Sequence, residues 1–462
     1  MAYSDLRLSR RHDALLDRMV SKQSNVVHQI AVNYAEERGF YRFLQNKQVS
    51  IPQMLAQLIR TPAVDLSDRQ LVVIGDTTEI SLKKARLSAR EAAGLGVLSD
   101  NRTPGFFAHT NLALDADTGD GIGLSDLMFW TRPVSDQSSK EKSRAKHSRP
   151  WREKESHRWW RGIEQSEQLL STAKQRLYVF DSEADVADLW EEAISQEVDL
   201  LIRVQQQARW VPSASMDVFA YLQGFEWRDE YELAISALTR RNYSKNRPQS
   251  RRARNAQMQL RFGSVEVQLV KKRPKTVPLY AIEALESAQS CPENEEPIHW
   301  VLLTTRPVES ITQAREMIKW YEWRWQIEQL FRTLKKQGFQ IEETELRTVE
   351  AIFKQSLLSF EAAFRVMRLV MARDQHEGQK ISEIFSQAEQ RCLQKLNQTL
   401  EGKTLKQQNP FSPNQLAFAS WVIARLGGWK GYQAQRPPGP IRMKRGLEQF
   451  RTYCKAWEYF DP

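Results

Sequence analysis

Three acidic positions in this chain are placed where carboxylates do chemistry. Asp76 follows the apolar run LVVIG, Asp181 follows LYVF, and Glu328 lies within REMIKWYEWRWQIEQLFRTLKKQG. An acid at the end of a buried strand is held rigidly, with its oxygens facing the rim of a sheet. If the two strands are neighbours, both carboxylates converge on one point and repel each other. A bound divalent cation is the usual remedy. In the third segment, Tyr321, Arg324, Glu328 and Lys335 stand at offsets 0, 3, 7 and 14, which places them on one face of a helix. Plainer readings stand beside these. An acid that ends a strand also caps turns, and Arg324 with Glu328 at i,i+4 makes an exposed ion pair worth about 0.2–0.5 kcal/mol.

The surrounding elements must position these groups. DRQLVVIGDTTEISL (68–82) reads as a buried strand, and HTNLALDA (109–116) and GIGLSDLMFW (121–130) as two more, joined by the turn-forming DADTGDG. A polar stretch (135–150) leads to a helix over about 151–173. The strand RLYVF, the helix ADVADLWEEAIS and the strand VDLLIRVQ follow. Three antiparallel strands followed by alternating helix and strand is mixed α/β grammar. Residues 206–305 interrupt it with strand-like runs, YELAISAL, QMQLRFGSVEVQLV, PLYAIEAL and HWVLLTT, around RRNYSKNRPQSRRAR (240–254), which holds seven Arg or Lys and no acid. Such a block is a solvated loop or a partner for phosphates.

On either side the sequence is helical. SNVVHQIAVNYAEE (24–37) has helical apolar spacing with Ser24 as its cap. GFYRFLQN (39–46) reads as a short aromatic connection, and SIPQMLAQLIR (50–60) as a helix with Ser50 capping and Pro52 in its first turn. From 310 onward the chain is mainly helical, and QAQRPPGPIRMKRGLEQF carries a Pro-rich stop before a last helix. The expected organisation is a helical region over 1–65, a catalytic α/β domain over 66–372 with its β-rich insertion at 206–305, and a helical C-terminal region over 373–462.

Bulk properties narrow the class. The 462 residues are 41% hydrophobic and carry a formal net charge of +10, enough for a large core and favourable for polyanionic partners. Fourteen Trp residues offer core volume or stacking surface for unpaired bases. The three cysteines, Cys291, Cys392 and Cys454, are too scattered for a zinc site or a disulfide framework. With no apolar signal core at the start and no run long enough to span a bilayer, a soluble intracellular protein is expected.

The pattern Y-x2-R-x3-E-x6-K, intact as Tyr321, Arg324, Glu328 and Lys335, resembles the signature of the YREK group of bacterial insertion-sequence transposases in the DDE superfamily. DTT at Asp76 and DSEAD at Asp181 are similar to that group's motifs, as are GFYRFLQN, WVLLTTRPVES (300–310) and IARLGG (423–428). The resemblance implies a ribonuclease-H-like catalytic core. It also implies cut-and-paste transposition by strand nicking, hairpin formation and opening, and strand transfer. Asp76, Asp181 and Glu328 would hold two Mg2+ ions, for which Mn2+ substitutes. One would activate water or a 3′-hydroxyl and the other would stabilise the leaving oxygen. Tyr321, Arg324 and Lys335 would grip phosphates beside the scissile bond, Trp300 would stack on a flipped base, and Arg203 would lie near that pocket. The implied partners are double-stranded DNA, as inverted-repeat ends and as target, and a second copy of the chain in a homodimer, with no membrane.

Departures from the family keep other readings open. Relatives carry a longer N-terminal region, so recognition of the DNA ends is expected to be shortened here. Ser182 replaces a common Arg beside the second acid. A ribonuclease-H-like nuclease that hydrolyses without joining, and a regulatory relative that binds DNA or the active enzyme, are the alternatives.

Overall fold

The computed structural model describes residues 3, 5–60, 65–82, 94–135, 149–204, 209–235, 237, 251–270, 275–335, 338–373, 379–431 and 438–460. The polar stretch 135–150, the basic loop 240–254 and the Pro-rich run at 432–437 lie outside these residues except at their ends.

The chain opens with α1 (Leu6–Lys22), capped by Asp5, whose carboxylate accepts from the Arg7 amide at 2.8 Å. Residues 24–37 do not form the single helix that their apolar spacing predicts. Ser24 Oγ accepts from the Val26 amide, and a one-turn α2 (Val27–Ile30) ends before Asn33. The Asn33 side chain then caps a fresh helix, α3 (Tyr34–Gln45), by accepting from the Glu36 amide at 2.9 Å. Short polar side chains that compete for backbone donors restart helices in this way. GFYRFLQN is therefore helical rather than a connection, and it buries Phe40, Phe43 and Leu44. The cap predicted at Ser50 is present, as a capping box with Gln53 that starts α4 (Ile51–Leu58) over Pro52.

Among the described residues the central element is one mixed sheet of twelve strands. β1 (Gln70–Ser81), β3 (Pro104–Asp115) and β4 (Gly121–Trp130) are antiparallel neighbours, and the two-residue β2 (Gly96–Val97) adds to the edge of β3. On the other side of β1, β5 (Gln175–Phe180) and β6 (Asp199–Arg203) run parallel to it. The order β4-β3-β1-β5-β6 is the ribonuclease-H-like arrangement expected from the sequence. The insertion does not interrupt this sheet; it extends it. β12 (His299–Thr304) pairs antiparallel with β6, followed outward by β11 (Thr276–Glu286) and β10 (Arg254–Gln268). β7 (Trp210–Val211), β8 (Met216–Asp217) and β9 (Asp229–Ile235) finish that end.

Strand alternation divides the core into two faces. Leu71, Val73, Tyr178, Phe180 and Ile202 face α5 (Arg158–Leu169) and α6 (Ala187–Ser195), where Trp159 and Trp190 are fully buried. The small α7 (Val218–Leu222) packs on the same layer. Val72, Ile74, Leu177, Val179, Leu201 and Leu302 face the other way. They join a core shared with α1, α3 and the later helices, namely α8 (Ile311–Trp323), α9 (Trp325–Leu334), α10 (Val349–Ala372), α11 (Gln387–Leu400), α12 (Leu416–Leu426) and α13 (Pro440–Phe460). The N-terminal and C-terminal helices thus bury their apolar faces on one side of the sheet, around the long α10.

Gly75 marks a close approach on the opposite face of the sheet. A Cβ there would stand 2.4 Å from Asn111 Oδ1 and 2.5 Å from the Phe180 ring. Both neighbours are buried, so neither can swing away freely. Gly75→Ala should therefore lower unfolding stability by about 1–3 kcal/mol, the range for overpacking a core. Chemical denaturation of the variant checks this, and an unchanged midpoint would show that the layer has slack.

Candidate active site

Asp76 is not at the end of its strand. β1 continues to Ser81, held throughout by β3, with Asp76 opposite Thr110. What ends here is β5. Its parallel pairing with β1 runs to Ile74↔Val179, and its last residue is Phe180. Carrying the register two residues further brings Asp76 alongside Asp181. The β5–β6 pairing, which ends at Phe180↔Ile202, likewise leads from Asp181 to Arg203, and Arg203 pairs with Leu302. Trp300, two residues from Leu302, shares its face. One line across the sheet therefore carries Asp76, Asp181, Arg203 and Trp300, on the face covered by the C-terminal helices.

Local hydrogen bonds fix the two aspartates. The Thr77 amide donates to Asp76 Oδ1 at 2.7 Å. Thr77 Oγ1 in turn lies 3.0 Å from Nδ1 of the fully buried His109 and accepts from Arg158 Nε at 2.9 Å. Asp181 accepts from the Glu183 amide at 2.9 Å and so caps the short turn Ser182–Ala184. The structural reading of Asp181 as a cap thus coexists with its place beside Asp76. The side chain of Asp185, the last residue of DSEAD, is fully buried. It accepts from Arg209 Nε at 2.8 Å and Trp190 Nε1 at 3.1 Å, which ties the loop after β5 to α6.

The segment predicted as one helix is two. α8 ends at Trp323, Arg324 forms a tight turn in which its amide donates to Tyr321 O at 3.1 Å, and α9 begins at Trp325. Ile327, Leu330 and Leu334 anchor α9 on the core. Arg324 Nη2 donates to Glu328 Oε1 at 2.7 Å, and Nη1 reaches Asp76 Oδ2 at 3.4 Å. A single guanidinium thus spans an acid of the sheet and an acid of the helix. Lys335 lies beyond α9 with extended backbone, off the face expected for it. Burial pulls its ammonium below the ordinary lysine range, and its charged neighbours are Glu342 and Glu79 rather than the three acids.

The electrostatics follow from this crowding. Burial, reinforced by the charge of Asp181, pushes the Asp76 carboxyl up to about 7, against the pull of Arg324 and the Thr77 amide. Burial opposes the charge on Arg324, but Tyr321, Glu328, Asp76 and Asp181 outweigh it and hold the guanidinium firmly protonated. Among the described residues, no three Asp, Glu, His or Cys side chains are gathered tightly enough to form a ready-made metal cage. Arg324 holds the oxygens of two of the three acids instead.

Beside the acids lies a cavity of about 400 Å3 lined by Arg203, Arg251, Trp300, Tyr321, Glu322, Arg324 and Trp325, with an apolar side from β9. Tyr321 is buried and meets Trp300 edge to face, with ring centroids 5.3 Å apart. Trp325 is 44% exposed and carries the Arg332 guanidinium 4.7 Å from its ring centroid. Arg203 Nη2 lies 3.5 Å from Ser182 Oγ. Of the residues singled out in the sequence, all but Lys335 therefore gather in one neighbourhood. Sequence reasoning missed Arg158, His109, Glu322 and Trp325. Trp325 and Glu322 flank the predicted arginine and could have been weighed with it, whereas His109 and Arg158 carry no signal before the register is known.

Residues 146–364 match the family model of the transposase DDE domain. The matched stretch contains Asp181, Arg203, Trp300, Tyr321, Arg324, Glu328 and Lys335; Asp76 precedes it. The match supports a DDE-superfamily transposase, a class of DNA-cleaving and DNA-transferring enzymes. No helix among the described residues is long and apolar enough to cross a membrane.

The raised Asp76 carboxyl has a consequence for stability. Folding raises its affinity for a proton from the ordinary value of 3.8 to about 7. The stability contributed by this group is therefore fully present below the unfolded value and is lost as pH rises through about 7. D76N removes that ionisation. In EDTA-containing buffer it should be more stable than the parent at pH 8, by on the order of a few kcal/mol, with the advantage fading by pH 4.5. Parallel denaturation midpoints at the two pH values would contradict this electrostatic account.

Proposed function

We propose that the chain is a Mg2+-dependent DNA transposase of the cut-and-paste kind, with Asp76, Asp181 and Glu328 as its acidic triad. The carrying observation is that Arg324, which bonds both Asp76 and Glu328, stands beside an Asp181-bearing loop and an aromatic cavity within a matched transposase domain. An all-carboxylate donor set suits a hard divalent ion such as Mg2+, or Mn2+ in its place. The perturbed Asp76 supports the fit, since a buried acid beside a second acid gains most from added positive charge. When bound, two such ions would activate water or a 3′-hydroxyl and stabilise the leaving oxygen.

The chain's own residues have separable tasks in this reading. Asp76 and Asp181 are fixed by backbone amides, and Glu328 approaches from α9. Arg324 competes for the same carboxylate oxygens and passes to a DNA phosphate, which its planar fork grips with two bonds. Arg203 and Tyr321 line the approach, and Trp300 offers a π-face to a base turned out of the helix during hairpin formation. Lys335 serves as a point charge for phosphate farther along the strand. The helical flanks bind the DNA ends, and two copies of the chain assemble around them.

The test is to incubate the full chain with Mg2+ and labelled DNA carrying its element's ends and flanks. Nicked, hairpinned and joined products are expected; hydrolysis without joining would indicate a nuclease, and binding without cleavage a regulatory relative. Glu328→Ala should abolish nicking, by more than about a hundredfold, while keeping most end binding measured by gel shift. Nicking at the parent rate would remove Glu328 from the triad. Trp300→Ala should spare the first nick and slow hairpin formation; equal loss at both steps would assign Trp300 to packing.

A further inference from the structure

The cavity beside the acids contains one group that the proposed chemistry does not use. Glu322 is the single carboxylate among its lining residues, which otherwise offer three arginines and three aromatic side chains. It precedes the turn at Arg324 and is half-buried. No hydrogen bond or ion pair holds its carboxyl among the described residues, although Arg203, Arg251 and Arg324 line the same space. Arg324 bonds Asp76 and Glu328, Arg203 leans to Ser182, and the charged neighbours of Arg251 are Arg254, Glu295 and Glu286. Burial alone pushes the Glu322 carboxyl up to about 7, so the group gains from any donor that holds its charge. A volume of about 400 Å3 lies within the range of small-ligand sites, and the stacking walls suit a flat ring.

We infer that Glu322 reads the hydrogen-bonding edge of a base extruded into this cavity and favours guanine. The inference rests on the base-stacking role proposed for Trp300 and adds the choice of base. A carboxylate only accepts hydrogen bonds, through two oxygens side by side. Guanine alone presents two adjacent donors, N1–H and N2–H, on its Watson–Crick edge, and can meet both oxygens at once. Adenine and cytosine present one donor beside one acceptor lone pair, so one bond forms and one contact repels. Thymine presents N3–H between two carbonyl oxygens, the poorest match. The expected order is guanine first, cytosine and adenine next, and thymine last. The arginines around the cavity hold the flanking phosphates for every base alike and so contribute affinity without choice.

The experiment uses the full chain and four duplexes that differ only in one bulged nucleotide, dG, dA, dC or dT, with the fully paired duplex as reference. Fluorescence anisotropy gives the affinities, and 2-aminopurine beside the bulge reports unstacking. The parent protein should prefer the dG bulge over the dT bulge by about tenfold or more, as one well-matched base contact allows. E322Q has nearly the same shape and offers a donor and an acceptor; it should cut that ratio below about threefold while unstacking persists. A parent protein that unstacks the bulge without preferring any base would overturn the assignment, as would an unchanged preference in E322Q. Failure of the underlying reading looks different. It would appear as no 2-aminopurine response in the parent, or as W300A binding bulged over paired DNA as well as the parent does.

Discussion

Two carboxylates held side by side on adjacent strands set the terms for everything built around them. Asp76 and Asp181 are fixed by the backbone, so neither can retreat from the other when charged. Burial and their crowding raise the affinity of Asp76 for a proton, and a guanidinium comes in from the helical layer. That guanidinium must come from a fixed direction. The turn at Arg324 supplies it, because breaking the helix there aims the side chain between the sheet and Glu328. The buried residues of α9 then hold the turn in place. The acid of the sheet, the helix break at Arg324 and Glu328 are thus joined through one side chain.

The sheet itself works as a ruler. Hydrogen-bonded register runs without a break from β1 through β5 and β6 to β12, and each crossing keeps side chains on their face. Residues far apart in the chain are therefore set in a row by backbone geometry alone. The insertion matters for this reason: β12 joins the edge of β6, and Trp300 arrives beside Arg203. A loop carrying the same tryptophan would place it less exactingly, since loops lack a ladder to fix their phase.

Much of this was legible in the chain, and the misses have physical causes. The alternating strands, the capped helix at Ser50 and the three acids all carry local signals in apolar period and capping residues. The placement of Asp76 mid-strand does not, because an apolar run that stops at an acid looks the same whether or not the next strand continues to pair. The break at Arg324 is silent for a similar reason. Its backbone stays right-handed, so no glycine or proline announces the turn. Asn33 did offer a signal, as a cap in the middle of an apolar pattern, but the periodicity around it reads more strongly. His109 and Arg158 both meet Thr77, and that contact exists only once β1 and β3 are in register.

The cleft follows from a mismatch in strand length. β1 has twelve residues and β5 has six, so beyond Phe180 one side of β1 has no neighbouring strand among the described residues. Were β5 longer, the rim at Asp76 would be closed by backbone pairing. Were β1 shorter, Asp76 would sit on a free loop and lose the rigidity that β3 gives it. The observed arrangement keeps Asp76 gripped from one side and open on the other. Into that opening the structure turns Arg324, Glu328 and the aromatic cavity, all from the helical layer. Rigid acids and a long-chain cation that bonds two of them are a natural division of labour under the proposed reading. The carboxylates cost little to pre-position because the sheet already orders them, while the guanidinium can exchange a carboxylate for a phosphate by rotating its side chain alone.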